Sequence, residues 1–425
     1  MSRTYYTLVR HLPAVLLVLL VVSCVRPSRL WAGSVETLPQ GVFRVRVRPT
    51  VIFFSHRFDR RGRAEPLTAD LDNVVMDNTV FSDLAELERI YNMPDGTLNV
   101  GRSHLRTQVV IQAYPFALEY GVTDNLTVGL VVPYVHAHQR LTRLRLDPGN
   151  IGHNPGDGRI SADDAAYLPL NHDKDPTTRH LDPLDRDDVR RILRDDFHYR
   201  WLDDSTTHGV GDIEVGAKYR FPAVDFWRSS LQLGLRAPTG KTVDPHDLLG
   251  LGLGSGAFGI LLAVQQDFIP WDRLRFNLTL RYTANLPQRI YLRVPTRFDR
   301  PITDRDLAER VWRNIGDVFT LDTRVTFALL EFLIPHLRYA YVHKLRDEVF
   351  GVRGLSYESL EILTDGRSHL LEAGLTFTTV PWALREAFPV PFDVTLSYER
   401  AIAGSHRAII SNMVALNLAV YFKVF

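Results

Sequence analysis

The chain has 425 residues, 45% of them hydrophobic and 23% charged, and its 50 Lys+Arg against 49 Asp+Glu leave a net charge of +1. That balance excludes a nucleic-acid binder, which needs a basic excess to neutralise phosphates. The single cysteine, Cys24, excludes a disulfide framework and a cysteine-based zinc site.

Residues 1–33 read as an export signal. Arg3 and Arg10 supply a positive start, and Ala14 to Val22 form a short apolar run. Val21-Val22-Ser23-Cys24 resembles a lipobox, which would make Cys24 a lipidated N-terminus. The alternative is cleavage near Ser23 or Ala32, with Cys24 removed along with the signal. Beyond this segment no apolar window of roughly 18 residues occurs, so helical membrane spans are excluded. A membrane crossing must then be made by alternating strands.

Residues 34–425 supply such strands. Val45, Val47, Val51 and Phe53 alternate with Arg44, Arg46 and Arg48. Ile213, Val215, Ala217 and Tyr219 alternate with Glu214, Gly216, Lys218 and Arg220, and Leu231, Leu233 and Leu235 with Gln232, Gly234 and Arg236. The clearest run is Leu274 to Leu286, where Leu274, Phe276, Leu278, Leu280, Tyr282 and Ala284 face away from Arg275, Asn277, Thr279, Arg281 and Thr283. Phe319 to Phe327 and Phe392 to Glu399 repeat the pattern. A soluble sandwich would turn its charged faces to water, whereas a barrel turns them to its lumen.

About twelve strands are predicted, starting near Gly41, Leu105, Asn125, Gly209, Ser229, Gly256, Leu274, Gly316, Ile334, Gly366, Phe392 and His406. Bacterial outer-membrane barrels have an even number. Short connections fall at Glu119–Asp124, Pro222–Arg228, Ile269–Arg273, around Phe332 and at Trp382–Pro391. They alternate with long ones at 59–104, 139–208, 242–255, 287–315 and 347–365, and only the last hairpin, near Gly404-Ser405, is tight. Short periplasmic turns against long extracellular loops is the layout of a transmembrane barrel. Trp227, Trp271 and Trp382, with Phe221, Phe226, Phe268, Phe332 and Phe388, gather at the short-turn end, where an interfacial girdle belongs. Phe81 to Tyr91 predicts a short helix in the first long loop, and Asp182 to Asp196 a charged surface helix in the second. The fold expected is therefore all-β: one antiparallel transmembrane β-barrel.

Four stretches carry a family resemblance. They are Tyr120-Gly-Val-Thr-Asp-Asn-Leu-Thr-Val-Gly129 running into Pro133-Tyr134, and Gly209-Val-Gly-Asp-Ile-Glu-Val-Gly-Ala-Lys-Tyr-Arg220. Leu235-Arg-Ala-Pro-Thr-Gly240 and Leu253-Gly-Ser-Gly-Ala-Phe-Gly259 follow. In that order they resemble the outer-membrane barrel family labelled as transporters of the MetA pathway of phenol degradation, and a sister family of uncharacterised barrels. The resemblance covers roughly residues 105–286. It implies an outer-membrane location and transport of small solutes. The chain ends in Phe425, as such barrels commonly do. Here, however, the apolar face of the last strand is Leu416, Leu418, Val420, Phe422 and Val424, out of phase with Phe425.

Motifs for other chemistry fail on context. Gly254 to Gly259 satisfies a G-x-G-x-x-G pattern but leads into an alternating run rather than a helix. Thr239-Gly-Lys-Thr242 lacks the glycine a phosphate loop needs at Leu235. His153 to Asp164 places Asp157, Gly158 and Asp164 as in a calcium loop, yet His153 and Pro155 stand where oxygen ligands belong. No cofactor and no metal are expected. A rim hydrolase would have to be built on Asp203, Asp204 and His208, and no second motif points to them.

Function is expected in the lumen. The residues predicted to line it are Arg44, Arg46, Arg48, Arg106, Lys218, Arg220, Arg236, Arg275, Arg281, Asp322, Arg324, Arg338, Glu372 and Glu399, with Glu214, Asp267 and Asp393 among the fewer acids. An arginine-rich lumen favours a narrow channel for small organic, anionic solutes by electrostatic focusing. The alternative is a closed barrel whose charges pair across the lumen and whose loops do the binding. Expected partners are the lipid bilayer with its lipopolysaccharide, the barrel assembly machinery and a small solute.

Overall fold

A strand that alternates apolar and polar side chains can satisfy every backbone group in a lipid environment only by closing a sheet on itself. The computed structural model shows that closure. It describes residues 35–81, 83–150, 185–224, 226–296, 302–303 and 305–423. The export signal with Cys24, the calcium-loop pattern of His153 to Asp164, and Phe425 lie outside the described residues.

Twelve antiparallel strands form the barrel. Strand β1 is Val42–Val47, continued past a break at Arg48-Pro49 by Thr50–Phe54. Then come β2 (Gly101–Thr123), β3 (Leu126–Pro148) and β4, which is Ser205–Val210 continued by Ile213–Arg220. Next are β5 (Trp227–Ala237), β6 (Gly259–Trp271), β7 (Leu274–Asn285) and β8 (Val318–Phe327). The set ends with β9 (Leu333–Lys344), β10 (Gly366–Thr378), β11 (Phe392–Ser405) and β12 (Asn412–Lys423). Each strand pairs with the next, and β12 pairs back onto β1, for example Val45 with Val420.

The side-chain faces follow the period-two reading. On β7, Phe276, Leu278, Leu280 and Tyr282 point outward and are exposed, while Asn277, Thr279 and Thr283 are buried inside. Leu396 on β11 is 57% exposed, and every barrel strand repeats such a face, so the belt is apolar all round. A water-soluble surface does not sustain a patch of that extent; a bilayer covers it. At the short-turn end Trp271 is 68% exposed and Phe226 packs edge-on to Phe268 at 5.4 Å between centroids. Trp382, in the one-turn helix Val380–Leu384, meets Phe332 at 5.2 Å and donates from Nε1 to Glu331 at 2.9 Å. Exposed rings with a hydrogen-bonded polar edge form an interfacial girdle, not the cap of a soluble core.

Both β2 and β3 run for 23 residues. A tilted strand needs only about 9–11 residues to cross the hydrocarbon. Their upper half therefore stands above the membrane, and β3 continues to Pro148, past the predicted end at Gln139. This ribbon carries an extracellular core. Helix α1 (Asp83–Ile90), as expected from the Leu84, Leu87 and Ile90 spacing, packs Leu84 and Leu87 there. Helix α2 (Arg186–Asp195) adds Val189, Ile192 and Leu193, so the charged run is amphipathic with one face buried rather than a wholly solvated surface helix. Its Asp185 and Asp188 form a reciprocal cap with each other's backbone. Leu248, Leu249 and Ile302 bring the third and fourth long loops into the same core.

The fourth and fifth loops also hold a small antiparallel sheet of Gln288–Arg293, Ala308–Asn314 and Glu348–Phe350, which was expected to be loop. Several strand starts differ from expectation: β2 begins at Gly101 rather than Leu105 and β4 at Ser205 rather than Gly209. Strand β6 begins at Gly259 rather than Gly256, because Gly256 takes φ 73° in the preceding turn. Strand β12 begins at Asn412 rather than His406, because His406 and Arg407 are both left-handed turn residues.

Candidate functional site in the barrel lumen

The lumen is divided along its axis. Its periplasmic and central part is polar and charged. On the extracellular side the inward faces turn apolar: Ile52 and Phe54 of β1, Val109, Ile111 and Ala113 of β2, Val135 and Ala137 of β3, and Met413 of β12 are all buried. Leu67 from the first loop, Leu251 and Leu253 from the third, and Ile409 from the last turn fill this region. The charged inward face read from alternation therefore gives way to apolar side chains on the extracellular side. Alternation reports which face a residue is on, but not that loops have folded back against that face.

Three of the four family-like stretches meet at the anchor of the third loop. Asp212 accepts from Gly240 N at 3.0 Å and from Ser255 N and Oγ, both at 2.7 Å. Thr239 Oγ1 donates to the Gly211 carbonyl at 2.7 Å and accepts from Ile213 N at 3.0 Å. Gly240 and Gly254 cross so closely that a Cβ on Gly240 would sit 2.6 Å from Gly254 Cα. The Gly-Asp, Pro-Thr-Gly and Gly-Ser signatures are thus one device that turns the loop inward.

Two ion-pair clusters line the charged part. On β1 and β2, Arg44 lies directly opposite Glu119 in the register and pairs with it. Arg46 Nη2 donates to Glu119 Oε1 at 3.0 Å, and the Arg44 guanidinium lies over the Tyr421 ring at 5.8 Å. On the facing wall Arg338 of β9 is buried among three carboxylates. It donates from Nε to Asp322 Oδ2 at 2.6 Å and from Nη1 to Glu399 Oε2 at 2.8 Å, and Glu372 Oε2 lies 3.5 Å from Nη1. Arg324 and Arg48 each approach Glu372 at 3.6 Å, and His336 Nε2 lies 3.2 Å from its Oε1. Since Arg48 belongs to β1 and Glu372 to β10, this contact links strands that are not neighbours. Glu372 and Glu399 stand opposite each other in the register, an arrangement of like charges that is unfavourable until Arg338 inserts between them.

Further residues complete the lumen. Glu214 stands opposite Arg236, buried, with neither carboxylate oxygen hydrogen-bonded. Arg236 donates to Asn285 Oδ1 at 2.5 Å, and Asn277 donates to Asp267 Oδ1 at 2.6 Å. Lys218 is buried on β4, Arg281 faces inward on β7, and Tyr421 donates to Asp393 Oδ2 at 2.5 Å. Arg106, predicted to line the lumen, does not face it. It sits on the outward parity of β2, half exposed, with Nε 3.4 Å from Asp72 Oδ2 in the first loop. The inward positions beside it are Leu105 and Thr107, so an arginine adjoining a strand run was assigned to the wrong face.

The periplasmic mouth holds a feature that alternation could not reveal. Residues 35–40 precede β1 and lie in the barrel opening: Val35 is fully buried, and Leu38 N donates to the inward-facing Thr127 Oγ1 at 2.8 Å. Glu36 is held by Arg220 at 2.8 Å, by Arg228, and by Arg275 at 4.0 Å. Burial alone would raise the Glu36 pKa; Arg228, with Arg275 and Arg220, outweighs it and holds the carboxyl below its ordinary 4.5. A carboxyl lowered on folding contributes stability above its unfolded pKa and loses it as pH falls through the folded value. The segment is therefore expected to stay docked at neutral pH and to release as pH falls below about 4.5. A nitroxide on Thr37→Cys, in a Cys24→Ser background, reads this as a change from an immobile to a mobile spectrum. Glu36→Gln should be mobile at pH 7 already; a wild-type spectrum unchanged down to pH 3 would refute the tether.

The rim residues Asp203, Asp204 and His208 are not brought together. His208 points outward and meets Tyr134 Oη at 3.3 Å, Asp204 accepts from Leu141 N at 2.7 Å, and Asp203 accepts from Asp204 N at 2.9 Å. The Gly254–Gly259 run leads into β6, not a helix. Among the described residues no cluster of metal-ligating side chains occurs.

No family model matches the chain, and no curated protein matches it. Among solved structures, an outer membrane channel from Pseudomonas putida F1 aligns at TM-score 0.52 with 9% identity, covering 92% of this chain and 99% of that one. A FadL homologue from Pseudomonas aeruginosa aligns at TM-score 0.33 with 11% identity, over 90% of each chain. The toluene transporter of Ralstonia pickettii gives 0.36 with 12% identity, over 91% of this chain and 90% of that. What the first of these likenesses establishes is a shared fold: this chain is a closed twelve-stranded transmembrane β-barrel.

Proposed function

We propose that this protein is a passive outer-membrane channel for small organic solutes, with anions favoured. The observation that carries the reading is the division of the lumen into an apolar extracellular part and an arginine-rich part beneath it. An organic acid presents an apolar body and a carboxylate, and the two parts suit those groups in sequence. Arginines outnumber carboxylates on the inward faces, and a low-dielectric wall focuses their field on a passing anion. The family-like stretches agree with transport, since the resembled barrels are labelled as transporters. Delivery by the export signal of residues 1–33 and insertion by the barrel assembly machinery belong to the same reading.

A closed scaffold is the second reading. The contact of Arg48 with Glu372 and the docked segment at the periplasmic mouth favour it. Planar-bilayer recording of the refolded chain separates the two. A channel gives stable conductance steps and a reversal potential of anion sign in a salt gradient, and Arg281→Glu reduces that selectivity. Silence from a barrel that keeps heat-modifiable mobility would overturn the channel reading.

A further inference from the structure

Where β5, β6 and β7 leave the membrane on the extracellular side, a groove of 680 Å³ opens between the third loop and the small loop sheet. Lys241, Thr242, Gln288, Arg289, Tyr291 and Arg310 are among its lining residues. Tyr291 pairs with Arg310 and Arg289 with Trp312 in the register of the sheet, so two arginines and two aromatic rings share its outward face. Arg289 lies 4.6 Å from the centroid of the Trp312 ring.

Three facts single this groove out. First, the side chains of Lys241, Arg289 and Arg310 make no hydrogen bond or ion pair among the described residues, whereas the lumen arginines of both clusters are carboxylate-paired. Gathering three unpaired cations in one groove is repulsive unless an anion joins them. Second, two described acids of this region, Asp317 and Glu309, are engaged elsewhere. Asp317 accepts from Asn285 N at 2.9 Å and from Tyr282, and Glu309 lies on the opposite, buried face of the sheet. Third, the depth is that of lipid headgroups. Leu286 and Phe258 are exposed and outward at the top of the apolar belt, and Gln288 and Gly256 of the groove lie two positions from them. At about 3.3 Å per strand residue that is roughly 7 Å. The polar layer of a bilayer adds about 5–7 Å on each side of the hydrocarbon.

We propose that this groove binds the phosphorylated headgroup of an outer-leaflet glycolipid, whose acyl chains lie on the belt of Leu235, Phe258 and Leu286. Guanidinium groups grip phosphate oxygens through paired N–H donors, and Lys241 adds a point charge from the facing loop. Tyr291 supplies a flat surface for a sugar ring at the depth where aromatic residues collect. The occupant is a membrane lipid rather than a dissolved anion because the groove opens directly above lipid-facing side chains.

The test is native mass spectrometry of the full refolded chain in detergent, titrated with diphosphoryl lipid A, its dephosphorylated form and inorganic phosphate. The diphosphoryl lipid should stay bound, the dephosphorylated lipid should bind at least tenfold more weakly, and inorganic phosphate should not survive transfer. The triple variant Lys241→Ser, Arg289→Ser, Arg310→Ser should lose tenfold or more, while Arg289→Lys with Arg310→Lys, which keeps the charge but not the paired donors, should lose affinity to a smaller extent. Equal binding of the two lipids, or of wild type and triple variant, would overturn the proposal; retention of inorganic phosphate would make this a site for dissolved anions instead. If the triple variant loses its heat-modifiable band, Lys241→Ser alone, on an exposed loop, replaces it with an expected loss of about threefold.

Discussion

Replacing Arg338 by alanine is expected to destabilise the barrel by about 3–5 kcal/mol, because it leaves buried carboxylates without their counter-charge. Asp322, Glu372 and Glu399 all approach that one guanidinium, and all four side chains are almost fully buried. Arg324, Arg48 and His336 also face Glu372, so part of the charge stays compensated there. The measurement is the urea unfolding midpoint of the barrel in liposomes. Adding Glu399→Gln to Arg338→Ala should restore part of the loss, as a pair that acts together does in a double-mutant cycle. A loss under about 1 kcal/mol would mean that water in the lumen screens these charges as it screens surface pairs. The same variant should move the reversal potential of a conducting barrel toward cations.

Replacing Arg293 should leave the barrel intact and dismantle what stands on it. Its side chain is fully buried under three loops. Nη1 donates to the Phe197 and Thr303 carbonyls at 2.6 and 2.8 Å, and Nη2 to the His198 carbonyl and His246 Nδ1, both at 2.7 Å. The guanidinium also stacks 3.8 Å from the centroid of the Tyr199 ring. One planar group therefore clips the second, third and fourth loops together. Each hydrogen bond to a charged group contributes about 1.5–3 kcal/mol, and truncation leaves the carbonyls buried and unpaired. Arg293→Ala is expected to raise the rate of protease nicking in these loops by about tenfold or more, a change of at least ~1.4 kcal/mol in local opening. Arg293→Lys should be nearly as damaging, since an ammonium cannot span the same fork. Unchanged nicking in both variants would show that the apolar core around Leu84, Leu87 and Ile192 holds the loops without the clip.

The barrel itself was legible because its determinants are local. Whether Leu278 and Leu280 face away from Asn277 and Thr279 is decided by the period of the strand, and the length of each connection decides which turns share a side. Arg106 was misread because it lies above the bilayer, where Leu105, Val109 and Ile111 turn inward under the loops and the polar side chains face out, the reverse of the pattern within the membrane. The family-like glycines were visible as a motif, but their meaning as a loop anchor at Asp212 was not, since Gly240 and Gly254 meet only in space.

What the sequence by itself determined is the closed sheet, its orientation and its girdle, all products of short-range alternation and turn chemistry. What only the tertiary structure decided is which charges meet and what fills the lumen. Arg44 finds Glu119 across 75 positions, Arg220 finds Glu36 across 184, and Leu253 joins Val135 and Met413 in one apolar core. Such contacts depend on barrel closure and on the path of each loop, and no periodic pattern along the chain encodes either.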